Sequence, residues 1–178
     1  MAGFSTKTFK VHDDYYTPNS AWDAISDYIP KSALIWEPFY GDGSSGRHLR
    51  SMGHHVHHEP GDFFLAPVPK RLVQKANGTL TWRQAVIVTN PPFSKKKEVL
   101  TRLKELDLPF ILILPCSTMS TQYVRKLFKN DLQILIPRKR IQFQKVVEGD
   151  YVPSPGCNFD CYYFCYKMGL SRDIIFLE

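Results

Sequence analysis

Asn90-Pro91-Pro92-Phe93 puts a carboxamide, two ring-locked residues and an aromatic ring in four consecutive positions. The stretch follows the apolar run Ala85-Val86-Ile87-Val88-Thr89, which predicts a short buried strand. It precedes Ser94-Lys95-Lys96-Lys97-Glu98, which predicts the start of a helix. Proline fixes φ and has no N–H to donate, and the residue before it is pushed toward extended geometry. Pro91 and Pro92 therefore hold a rigid corner. That corner displays the Asn90 amide at a strand's carboxyl end, where α/β sheets bind ligands. A helix-entry turn with Asn90 as its cap is the bland alternative. A second constellation, Glu37-Pro38-Phe39-Tyr40-Gly41-Asp42-Gly43, joins another strand end to a glycine turn and a helix. Glycines there let backbone approach a ligand closely. Gly41-x-Gly43-x-x-Gly46 matches the dinucleotide fingerprint in spacing. Glu37 argues against that match, because a carboxylate repels pyrophosphate but can hold a ligand's ammonium group. Glu59, ending the next predicted strand, suits ribose hydroxyls in either reading.

The Asn90-Pro91-Pro92-Phe93 stretch resembles the signature of methyltransferases that act on exocyclic amines of nucleobases, chiefly adenine. Such an amine is a poor nucleophile because its lone pair is delocalised into the ring. The resemblance assigns the Asn90 side-chain oxygen and the Pro91 carbonyl to its two N–H bonds, favouring a more tetrahedral nitrogen. It gives Phe93 a stacking role, about 1–3 kcal/mol per base. Glu37, Pro38, Phe39 and the Gly41–Gly43 turn look like the S-adenosyl-L-methionine site of class I methyltransferases, facing the methionine part. The same resemblance implies Glu59 on the ribose, and Asp62 and Phe63 at the adenine. Tyr16-Thr17-Pro18 resembles the segment that precedes the turn and closes over the cofactor. The motif order is that of adenine-modifying members, phage-type DNA enzymes included, and spans residues 15–145. Arg140-Ile141-Gln142-Phe143 resembles the segment beside the target-base pocket, and the resemblance implies Phe143 as a second stacking face opposite Phe93; a strand with a buried Phe is the bland alternative.

These residues need particular elements to position them. Asn19 or Ser20 can cap a helix over Ala21–Tyr28, stopped by Pro30. Strands are expected at 33–37, 54–59, around Val86, at 110–114 and at 132–136. Helices are expected at 45–52, 94–106 and 120–128. Residues 77–84 read as a turn and a short exposed segment. Residues 141–147 and 158–167 read as a pair of strands, the latter the antiparallel strand usual in this family. Alternating strand and helix predicts a Rossmann-like, mostly parallel seven-stranded sheet with helices on both faces. A single domain over 1–178 is expected, with 1–14 an irregular arm and no separate target-recognition domain.

The chain's 178 residues carry a net charge of +6 and a pI near 9.1, which suits a polyanionic partner. The charge is clustered: Lys95-Lys96-Lys97 beside the proline corner, Arg138-Lys139-Arg140 after Pro137, and Lys70-Arg71 after Pro69. Lys95, Lys96, Arg138 and Arg140 are the expected phosphate contacts; a solvated face is the alternative. No apolar run approaches a bilayer span and the start has no apolar signal region, so a cytoplasmic protein, or a nuclear one in a eukaryotic host, is expected, with no membrane partner.

Two further clusters are read structurally. His54-His55-Val56-His57-His58 alternates faces along a strand, so no metal site is assigned, although its histidines titrate near pH ~6.5 and could attract phosphate. Cys157-x3-Cys161-x3-Cys165 resembles an iron–sulfur pattern, but Phe159–Tyr166 reads as a buried strand in which Cys161 and Cys165 share a face and act as small hydrophobes. The expected function is therefore methyl transfer to the N6 amine of adenine in nucleic acid, DNA slightly favoured. RNA as substrate, cytosine's exocyclic amine, and a non-catalytic nucleic-acid-binding subunit are the alternatives. A sequence reader would have to be residues 64–84, the 144–157 loop or a second subunit.

Overall fold

The computed structural model describes residues 15–74, 76–154 and 159–178. The expected arm at 1–14 and Cys157 lie outside the described residues. The strands are β1 (Leu34–Trp36), β2 (His55–His57), β3 (Lys70–Gln74), β4 (Leu80–Thr89), β5 (Phe110–Pro115), β6 (Leu132–Ile136), β7 (Gln144–Val147), β8 (Asp150–Pro153), β9 (Cys161–Tyr166) and β10 (Ile174–Phe176). The α-helices are α1 (Asn19–Asp23), α2 (Ser44–Ser51), α3 (Lys96–Leu106) and α4 (Gln122–Phe128).

Seven strands form one path, β10-β6-β9-β5-β4-β1-β2, and β3 pairs with β4 off that path. All pairs along it are parallel except those of β9, which runs antiparallel to both β5 and β6. This is the Rossmann-like, mostly parallel sheet that the alternating pattern predicts, with 158–167 supplying the antiparallel strand. The chain leaves β1 toward β2 on one side and leaves β4 toward β5 on the other. Right-handed crossovers then put α2 on one face and α3 and α4 on the opposite face. The carboxyl ends of β1 and β4 lie side by side where the order reverses, which is where open α/β sheets bind ligands.

A strand covered on both faces must be apolar at every position. Phe110–Pro115 is buried throughout, as are Ala85, Ile87, Val88 and Thr89 of β4. Tyr163 of β9 is fully buried and donates its hydroxyl to the Ala21 carbonyl at 2.7 Å, tying α1 to the sheet. Cys161 and Cys165 pack in that core, and burial pushes the Cys165 thiol up to about 12.

Several expectations need correction. Residues 141–147 do not pair with 158–167: β7 pairs with β8 in a separate two-stranded sheet. Glu148 and Gly149 turn that hairpin with φ of +53° and +93°, the signature of the primed turns that match strand twist. The seventh strand of the path is instead β10. Residues 77–84 are not a short exposed segment either. From Leu80 they are the first half of β4, in register with β3 from Gln74↔Leu80 to Lys70↔Gln84. The helix expected over 21–28 breaks after Asp23 and resumes as one 3-10 turn at Ser26–Tyr28. Among the described residues no helix is long and apolar enough to cross a membrane.

Candidate functional site

A cavity of about 420 Å³ opens at the carboxyl ends of β1 and β4. Four segments line it: Tyr15–Thr17, Glu37–Asp42 with Ser44 and Ser45 at the start of α2, Pro60–Gly61 and Asn90–Phe93. The two sequence constellations, distant in the chain, therefore share one space. The volume falls within the roughly 300–1,000 Å³ usual for small-molecule sites.

Glu37 is only 2% exposed. Its Oε1 accepts the Phe39 amide at 3.0 Å and the hydroxyl of Thr89, the buried last residue of β4. Burial dominates these two bonds and raises its pKa from 4.5 to about 8. Loss of water destabilises the ionised form more than two donors restore it. Such a carboxyl is poised to ionise when a cation arrives.

The glycine turn is shaped for more than one neighbour. Gly41 and Gly43 have φ of +55° and +81°, conformations that side chains resist. Gly46 answers a different need: a Cβ there would stand 1.9 Å from His58 Nδ1. The third glycine of the fingerprint thus admits the His58 ring rather than a phosphate. Asp42 Oδ1 accepts the Ser44 amide at 2.9 Å, so a carboxylate already caps the amino end of α2. A pyrophosphate would meet that negative charge, which removes the dinucleotide alternative.

Asn90 lines the cavity, and its Oδ1 is buried without a hydrogen-bond partner. An unsatisfied buried acceptor costs about 1–3 kcal/mol, a cost a ligand's N–H would relieve. The helix-cap alternative for Asn90 fails, because no side-chain bond caps the 3-10 turn at Phe93–Lys95 or the helix after it. Phe93 is 7% exposed and meets Phe159 at 5.4 Å and Phe143 at 6.0 Å, both nearly edge-on. Phe143 is buried against Tyr15, Phe93 and Phe159. Phe93 and Phe143 are thus touching neighbours in an aromatic cluster, with no gap between parallel rings for a base.

The remaining sequence-predicted residues fall in three groups. Tyr16, Thr17, Glu37, Pro38, Phe39 and Gly41 line the cavity with Asn90, Pro91, Pro92 and Phe93. Tyr16 also bridges to Gln144 by two 2.9 Å backbone bonds, and its ring meets Tyr151 edge-on at 5.6 Å. The β7–β8 hairpin is thereby fastened to the segment that borders the cavity. Pro18, Gly43, Glu59, Asp62 and Phe63 lie beside the cavity without lining it. Glu59 is exposed and immediately precedes Pro60. Asp62 accepts the Phe64 amide at 2.8 Å, and Phe63 is packed between Trp36 and Phe39. Of the basic residues, Lys95, Arg138 and Arg140 are exposed; Arg140 pairs with Asp160 at 3.0 Å, and Lys96 donates to the Phe93 carbonyl at 3.2 Å.

Thr89 is the main residue missed from sequence. It is the one hydroxyl at the end of an otherwise apolar run, and that position was the available signal. The histidine strand needs correction: His54 and His58 are buried, and burial lowers both below the ordinary imidazole value. Burial therefore works against the charged form that an attraction for phosphate would need. His55 and His57 are exposed, as the alternation predicts.

The chain matches no protein-family model and no curated protein. Among solved structures it is similar to the tRNA (m1A58) methyltransferase TrmI from Aquifex aeolicus. That similarity has 16% identity and a TM-score of 0.38, over 92% of this chain and 72% of that one. The fold assignment rests on the strand order and directions described above.

Proposed function

We propose that this chain transfers a methyl group from S-adenosyl-L-methionine to the N6 amine of adenine in nucleic acid. The observation that carries the reading is the unpartnered Asn90 Oδ1, held by Pro91 and Pro92 in the same cavity as the buried Glu37 carboxyl. The residues present fit the cofactor. Glu37 can receive the ammonium of its methionine part, and the turn at Gly41 leaves backbone open to close approach. Tyr16 and Thr17 border the same space. Glu59, two residues before the lining Gly61, is the candidate ribose ligand. The bound cofactor supplies an electrophilic methyl group on a sulfonium.

The chain's own contribution is positioning. The Asn90 side-chain oxygen and the Pro91 carbonyl accept the two N–H bonds of the target amine, turning its lone pair out of conjugation. Holding the reactants in line lowers the barrier without a strong base, and the proton becomes acidic only after methylation. In a duplex the target base must leave the stack, which costs a few kcal/mol. Lys95, Lys97 and Arg138 are exposed and are the candidate phosphate contacts.

Asn90→Ala tests the reading. Methyl transfer should fall below detection while cofactor affinity by calorimetry stays within a few-fold of wild type. Loss of cofactor binding, with transfer merely following it, would move Asn90 into the cofactor site and end the role given to it. DNA and RNA are parallel arms of the assay.

A further inference from the structure

Positive charge is segregated along this chain. Seven of its 23 lysines and arginines, and none of its 17 carboxylates, lie between Asp62 and Glu98. Without that stretch the chain is close to neutral. The seven flank the apolar run Ala85–Thr89: four fall between Lys70 and Arg83, and Lys95, Lys96 and Lys97 follow the proline corner. The backbone register of the β3–β4 hairpin sets Lys70 opposite Gln84 and Leu72 opposite Trp82. Lys70 and Trp82 are therefore diagonal neighbours on one face, and alternation puts Leu80 on that face too. Lys70 is exposed, Trp82 is 65% exposed and Leu80 60%. Trp22 and Trp36, the other two tryptophans, are buried.

An indole held open to water beside an ammonium, in a stretch without carboxylates, has both parts of a single-strand platform. The ring offers a flat face to a base, and the cation meets the phosphate next to it. Resting on the nucleic-acid substrate proposed above, we propose that this face of the β3–β4 hairpin is a second contact for the same polymer, where a base of a single strand stacks on Trp82 and Lys70 meets its backbone. Every base has a π-face, so this contact is indifferent to sequence, unlike the adenine-selective pocket at Asn90. Trp82 and Asn90 are eight residues apart along β4, about 26 Å at ~3.3 Å per residue. A stacked strand advances about 3.4 Å per nucleotide, so a substrate must run about eight nucleotides beyond its target to engage both.

Because the other tryptophans are buried, quenching of the exposed indole reports this contact directly. Oligothymidylate or oligouridylate of about 20 nucleotides offers no adenine to the Asn90 pocket, yet should quench the full chain's emission by stacking. Trp82→Phe should remove that quench. By fluorescence polarisation, Trp82→Ala should bind the same oligomers about tenfold more weakly, while Trp82→Phe, which keeps a stacking ring, stays within about threefold of wild type. Lys70→Ala should reduce the salt slope of that binding by about 0.7. In methyl transfer, Trp82→Ala should raise KM and leave kcat unchanged on single strands of about 20 nucleotides, and should change neither on strands of about four, which cannot span the two contacts. A merely structural role would affect both lengths alike. Quenching without any methyl transfer would keep this contact and remove the methylation reading. Methyl transfer without quenching, and with Trp82→Ala equal to wild type on both lengths, would overturn the contact and leave the methylation reading standing. Quenching by polyglutamate as strong as by the oligomers would also overturn it, and would assign the face to an acidic protein partner.

Discussion

Glu37→Gln isolates the carboxyl at the centre of the site. In the folded chain burial holds the Glu37 proton up to about pH 8, against 4.5 for the ordinary side chain. Below 4.5 both folded and unfolded chains carry the proton, and full stability is present. Between 4.5 and 8 the unfolded chain releases it and the folded chain keeps it, so stability falls as pH rises. Above 8 both are ionised and the loss is constant. At 1.36 kcal/mol per pH unit the total is about 5 kcal/mol, of which about 3.5 lies between pH 5 and pH 8. Glutamine keeps a carbonyl oxygen for the Phe39 amide and the Thr89 hydroxyl but has no proton to lose. Thermal melts from pH 5 to pH 8.5 should therefore diverge. For a domain of this size about 2–4 °C corresponds to 1 kcal/mol, so the variant should gain on the order of ten degrees relative to wild type across that range. Ligand binding should carry the same signature. A cationic ligand group needs the ionised carboxylate, so binding near pH 7 should release close to one proton, read by calorimetry in two buffers of different ionisation enthalpy. Affinity should strengthen with pH up to about 8. Parallel melting profiles for wild type and variant would refute the buried, protonated carboxyl.

Other outcomes follow from single contacts. Thr89→Val removes a donor to Glu37 and should shift the alkaline stability transition upward, while costing about 1–3 kcal/mol in denaturant unfolding. Gly46→Ala drives a Cβ into the His58 ring and should cost about 1–3 kcal/mol. Adding His58→Ala should recover part of it, a coupling visible in a double-mutant cycle. Tyr163→Phe strands the Ala21 carbonyl and should lower stability by about 1 kcal/mol. Lys95→Ala and Lys97→Ala should each weaken nucleic-acid binding evenly across sequences and reduce the salt slope by about 0.7–0.9.

Much of the sheet was legible because its strands are short apolar runs ending in chemistry-bearing residues. Trp36-Glu37 and Thr89-Asn90 each mark a buried strand meeting a polar site, and both pairs lie at the switch point. The β7–β8 hairpin was illegible because its turn, Glu148-Gly149, lacks the Asn or Asp that usually announces two positive φ values. The β3–β4 hairpin had its signal in Asn77-Gly78, but polar Thr81 and Gln84 disguised the first half of β4. That strand matters for function. Leu80–Gln84 extends from the end of β4 opposite Asn90, so a reader built on the hairpin would stand roughly 20 Å from the site at ~3.3 Å per residue. The β7–β8 hairpin, fastened to Tyr16, is the better-placed segment. Phe143 was mistaken for an open stacking face because sequence shows an aromatic ring but not the neighbours, Tyr15, Phe93 and Phe159, that surround it. Thr89 and His58 act through contacts more than ten residues away in the chain, which no local pattern reveals.

The most direct test of the central claim incubates the protein with S-adenosyl-L-methionine carrying a labelled methyl group, beside single-stranded DNA, duplex DNA and RNA. Each polymer is then digested to nucleosides and separated. Label is expected in N6-methyladenosine or its deoxy counterpart, and none with Asn90→Ala. Label on a ring nitrogen or on cytosine, or no label in any polymer despite bound cofactor, would contradict it.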